Sequence, residues 1–297
     1  MKVNNFPFGE LLKSSWEWTI KNKILWIIAF FAGGGSYFLN MSFSRKDFES
    51  MQNVIPNMQK VQDNVTGLWV NSGAIYFVVG LILVFGLLFF LLGLAMRASL
   101  IMSNKQLSLN QDCKFWNLVK AGFSYFPRLL LMSVLWTIPN LILLALALVS
   151  VFNIDSIVMG IIFICTIFVG VLFNIYVGLL RHNAYCFAIL ENNTAWNSIM
   201  NAAKLLNKNF WVLVVAALIQ IGLGIAIGVG LLLVLIAVAI PFVILGGLLM
   251  FAIGSAGILV PLLFGSIVVV AVLAALRGGT SFFFNAFLTN VYWEIKK

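Results

Sequence analysis

Charge is what this chain has least of. Asp, Glu, Lys and Arg make up 9% of its 297 residues, against about 25% in soluble domains. The 66 residues from Trp211 to Leu276 contain no charged side chain at all. A soluble core cannot accommodate such a tract, whereas a bilayer can, because a helix crosses the hydrocarbon with ~20 apolar residues. Histidine is a single residue, His182, and the three cysteines (Cys113, Cys165, Cys186) are far apart with no CxxC spacing. Neither a metal site nor a disulfide framework is therefore expected. GxSxG, HExxH and Walker A motifs are missing. None of the nine carboxylates falls inside an expected span, which removes the paired acids of hydrolytic chemistry and the intramembrane acid usual in proton-coupled transport. The chain reads as non-enzymatic, with no catalytic residue, cofactor or metal.

What is present is apolar, at 62% of the chain. The apolar runs place spans at about 24–40, 73–96, 129–151, 156–180, 209–238 and 258–280. Pro241, Gly246, Gly247, Gly254, Gly257 and Pro261 cluster in the charge-free tract, which favours a broken or re-entrant segment over 241–261. With six spans, 15 Lys and Arg lie on the side of the termini and 3 (Arg45, Lys46, Lys60) on the other. That asymmetry makes the rich side cytoplasmic. The expected fold is all-α, a polytopic membrane helix bundle of about six transmembrane helices forming one domain over 1–297. It would sit in the cytoplasmic (inner) membrane with both termini inside. The net charge of +9 then serves topology and anionic lipid rather than nucleic acid, for which no basic motif or stacking platform is present. The N-terminal stretch Lys2 to Lys23, carrying Glu10 and Glu17, is too long and amphipathic for a signal peptide.

A short amphipathic segment precedes each odd-numbered span. Phe8, Leu11, Leu12, Trp16 and Ile20 form the first, Phe115, Leu118, Val119, Gly122 and Phe126 the second, and Trp196, Ile199, Met200, Ala203 and Phe210 the third. Each has the spacing of one apolar helical face, with aromatics suited to the headgroup boundary. The expectation is three tandem units, about 1–100, 101–190 and 191–297, each an interfacial helix followed by a helical hairpin. In the outer loop, apolar residues from Phe48 to Leu68 recur at spacings of three and four, either capping the bundle or docking a partner.

Arg97, Arg181 and Arg277 each close an even-numbered span. If the units repeat, their guanidiniums, planar forks suited to phosphate, are candidate contacts for an anionic headgroup. The alternative is three independent boundary arginines with snorkelling side chains. Asn140, Asn174 and Gln220 are the polar candidates for a pathway or for interhelical hydrogen bonds. Gly222, Gly224, Ala226, Gly228 and Gly230 form overlapping rows of small residues that predict close helix packing, within the chain or in a homo-oligomer. His182 reads as a boundary residue.

The stretch from Ala195 to Trp211 (AWNSIMNAAKLLNKNFW) and the ending from Asn290 to Lys296 (NVYWEIK) resemble segments of bacterial six-span membrane proteins. That group includes the membrane domain attached to some glycerophosphodiester phosphodiesterases. The resemblance implies a membrane module in a lipid-related setting. No phosphodiesterase domain is present, so no activity carries over. Two functions follow as expectations: a module binding membrane lipid, anionic in character, or a membrane-protein partner; or a permease-like carrier of a small or amphiphilic solute. Lateral apolar openings with clustered arginines would mark the first, and a continuous polar path through Asn140, Asn174 and Gln220 the second.

Overall fold

A computed structural model describes residues 6–34, 72–152, 157–253 and 259–297. They are helical almost throughout: α1 (Phe8–Lys21), α2 (Leu25–Gly34), α3 (Ser72–Ser108), α4 (Phe115–Phe152), α5 (Ile157–Leu190), α6 (Ala195–Lys208), α7 (Phe210–Ile253) and α8 (Leu259–Lys296). Five of them, α3, α4, α5, α7 and α8, are long and apolar enough to cross a membrane. The chain is an all-helical membrane protein. Of the crossing expected at 24–40, the described part is α2, and its remainder and the 44–68 stripe lie outside the described residues.

The amphipathic helices owe their limits to local chemistry. Thr194 caps α6, its hydroxyl oxygen accepting from the Asn197 N–H at 3.4 Å, and Lys208 sits in the last turn where a cation suits the helix dipole. α1 likewise ends on Lys21. The second amphipathic segment departs from expectation. Residues 115–126 are not a separate interfacial helix but the first three turns of α4, which continues through Pro127 and Pro139. Each proline removes one hydrogen bond, a loss a 38-residue helix tolerates where its neighbours hold it.

Within the 241–261 region, where a broken or re-entrant segment is expected, residues up to Ile253 are continuous helix. α7 runs unbroken through Pro241, Gly246 and Gly247 to Ile253, 44 residues in all, or ~66 Å of helix. Phe242, just past the proline, packs against α8 so closely that a Cβ on Gly265 would lie 2.9 Å from its ring. Residues 254–258 lie outside the described part.

Burial divides the molecule in two. In the packed half, the C-terminal portion of α8 is surrounded by α1, α2, α3 and α5, with Phe282, Phe287 and Tyr292 fully buried. Gly278 lets α2 approach: a Cβ there would meet the Trp26 carbonyl oxygen at 2.3 Å. Gly122 does the same between α3 and α4, where a Cβ would meet the Ala95 carbonyl at 2.4 Å. The C-terminus is tied down by side chains. Asn290 donates to Ser15 Oγ at 3.0 Å, and the Tyr292 hydroxyl and Lys296 ammonium both donate to Glu191. The NVYWEIK ending is thus a structural clasp. In the other half the helices are apolar arms. None of the most apolar stretch of α7 and 6% of that of α5 is buried in the protein.

Candidate functional site

Where α2, α3, α5, α7 and α8 meet, at the junction of the two halves, lies a cavity of about 790 Å³. Arg97 of α3, Arg181 of α5 and Arg277 of α8 all line it. These residues are 84 and 96 positions apart in the chain, so the fold alone brings them to one place. None of them ends its helix. α3, α5 and α8 run on for 11, 9 and 19 residues beyond, because the packed half extends the bundle past the apolar spans. Arg97 Nε donates to the Ala32 carbonyl at 2.9 Å, in the last turn of α2. That bond fixes the guanidinium at the wall.

The wall is layered. Polar groups of His182, Gln220 and Asn285 accompany the arginines, while Phe30, Leu100, Ile227, Leu231 and Phe284 supply an apolar surface. No Asp or Glu occurs among the described lining residues. Beneath the polar side runs a network that joins α3, α5 and α8. Asn104 Nδ2 donates to Asn285 Oδ1 at 3.0 Å and to Thr289 Oγ1 at 3.2 Å. Thr289 Oγ1 gives its one proton to the Asn285 carbonyl at 2.8 Å. His182 Nε2 lies 3.3 Å from the same oxygen, the direction of that bond following the ring tautomer. Tyr185, also in the wall, is 3% exposed, and its hydroxyl has no hydrogen-bond partner among the described residues.

The expected polar candidates part company. Gln220 lines the cavity. Asn140 and Asn174 do not; they bridge α4 and α5 in the arms, Asn174 Nδ2 donating to Asn140 Oδ1 at 3.0 Å. Each also donates to a carbonyl of its own helix. Among the described residues, the small-residue rows of α7 make no close helix packing. Gly222, Gly228 and Gly230 have nothing within 4 Å of a Cβ position, and Gly224 meets Phe284 at 4.0 Å. Gly224 and Gly228 belong to the cavity wall instead. His182 is a wall residue held by Thr289, not an isolated boundary residue. Sequence reasoning also missed Tyr185, Thr289 and Asn285. The one available signal for the last two was a run of small polar residues after Arg277, in the least apolar part of α8.

Residues 16–291 match a family of unknown function, DUF7544, and the chain belongs to it. The match makes no connection to phosphodiesterase-associated membrane domains. No curated protein matches the chain, and no solved structure does.

Proposed function

We propose that the protein is a non-catalytic module of the cytoplasmic membrane that holds the headgroup of an anionic lipid among Arg97, Arg181 and Arg277. The observation carrying this reading is that three arginines, from three separate helices, line one cavity. Guanidinium forks bind phosphate oxygens in pairs, and desolvation at the edge of a membrane strengthens such charge-assisted bonds. Helix rise supports the depth. Arg277 is 18 residues from the start of α8, or ~27 Å, close to the ~30 Å of hydrocarbon. Arg181 and Arg97 lie ~36 and ~38 Å from the starts of their helices by the same rise. With the packed half on the cytoplasmic side, the orientation that the charge asymmetry favours, all three face inner-leaflet headgroups. The carrier reading has less behind it, since Asn140 and Asn174 satisfy one another away from the cavity.

The test is the anionic lipid that copurifies with Arg97→Ala, Arg181→Ala and Arg277→Ala, quantified by native mass spectrometry. The expected outcome is a loss of bound phosphate-bearing lipid in each variant, with the folded protein retained. Unchanged lipid in all three contradicts the reading.

A further inference from the structure

The glycines of α7 pose a separate question. Glycine costs a helix ~1 kcal/mol relative to alanine, a cost usually offset by close packing. Here Gly224 and Gly228 line the cavity with no close neighbour across them, and Gly178 of α5, also in the wall, has nothing within 4 Å of a Cβ position. These three positions therefore create volume, not helix contact. Ile227, Leu231 and Phe284 add apolar surface to the same wall. Further along, α5 and α7 carry their apolar side chains outward: Ile164, Phe168 and Leu172 on one, Leu232, Leu233 and Ile236 on the other. In a membrane these exposed side chains meet hydrocarbon. The partnerless hydroxyl of Tyr185, in the same wall, is a polar group still to be satisfied.

We propose that the cavity takes a whole lipid molecule from the membrane, with one hydrocarbon chain lying along Gly178, Gly224 and Gly228 and entering between α5 and α7. This rests on the headgroup reading above and adds to it the class of ligand: a long-chain anionic lipid, as opposed to a water-soluble phosphate. The lipid slides in laterally, so its chain need never leave an apolar environment while the phosphate reaches the arginines. Tyr185 donates to an oxygen at the head end.

The experiment compares dioleoyl and dihexanoyl phosphatidylglycerol binding to the full-length protein in neutral detergent, again by native mass spectrometry. Wild type retains the dioleoyl lipid at least ~10-fold better, the effect of burying about two methylenes. Gly224→Leu and Gly228→Leu lower dioleoyl retention to the dihexanoyl level and leave the dihexanoyl lipid unchanged. Gly222→Leu, on the same helix with open space around it and outside the cavity wall, alters neither, which controls for folding. Equal retention of the two lipids by wild type overturns the chain slot, as does an equal fall of both in the leucine variants. Because Arg181→Ala is measured alongside, dependence of both lipids on the arginine leaves the headgroup reading standing when the slot fails. Independence of both from the arginine removes the headgroup reading itself.

Discussion

Two phenylalanines summarise the difference between the packed half and the arms. Phe287 of α8 is 0% exposed and Phe251 of α7 is 96% exposed, yet each lies on a long helix able to cross a membrane. In the packed half, burial is against protein, so helices approach through Gly122 and Gly278 and are tied by side-chain hydrogen bonds. In the arms, lipid provides the apolar surroundings, and helix–helix association has no hydrophobic drive of its own. The same apolar composition therefore produces side chains buried in protein at one end and side chains left outside it at the other. The cavity forms where the two regimes meet.

The largest effect expected from breaking this contrast is on the buried ring. Phe287→Ala should cost ~3–5 kcal/mol, the usual cost of deleting a buried aromatic. Phe251→Ala should shift stability by no more than ~0.5 kcal/mol. Denaturant unfolding in a common detergent measures both, and similar costs would erase the distinction between the halves. A smaller effect is expected from glycine. Gly278→Ala forces a Cβ onto the Trp26 carbonyl and should cost ~1–3 kcal/mol as overpacking. Gly222→Ala, in open space, should be neutral or slightly stabilising through helix propensity. Within the arms, Asn174→Leu removes the hydrogen bond to Asn140 and should cost ~0.6 kcal/mol, typical of interhelical bonds in membranes. A cost matching that of Gly278→Ala would mean that the arms are packed more tightly than described.

The smallest effect concerns Cys113, in the connection between α3 and α4. Burial chiefly, and then the Asp112 charge, push its thiol above the usual cysteine value. The thiolate is the reactive form, so Cys113 should react with maleimide more slowly at pH 8 than an exposed thiol. Asp112→Asn should raise that rate modestly, since it removes the lesser cause. A rate equal to that of a free thiol would show the connection to be open.

The apolar spans were legible because an absence of charge over 66 residues has one physical explanation. What covers each apolar face was not. Lipid and protein are both apolar, so Gly222 and Gly278 look alike in sequence although only the second meets another helix. Arginine spacing pointed to Arg97, Arg181 and Arg277 as a set, and the three do line one cavity. Their role there is a matter for the lipid measurements. The arginines gave no sign that the packed half continues each helix past its boundary charge. Pro241 likewise gave no sign that α7 runs through it. The network of His182, Thr289 and Asn104 left little trace, because its partners lie 107 and 185 residues apart and hydrogen-bond pairing over such distances has no periodic pattern. The Thr194 cap of α6 is local by contrast, joining residues three apart.

The central claim is that the packed half faces the cytoplasm, the arms occupy the bilayer and the arginines mark the boundary between them. Single cysteines at Gln111, Asn197 and Ile157, in a background without the native three, test it most directly with a membrane-impermeant maleimide on intact cells. Gln111→Cys and Asn197→Cys, both at exposed positions of the packed half, should stay unlabelled until the cells are permeabilised. Ile157→Cys, at the far tip of the arms, should label at once. Labelling of the first two in intact cells, with Ile157→Cys protected, would invert the molecule and take the arginines away from the inner leaflet.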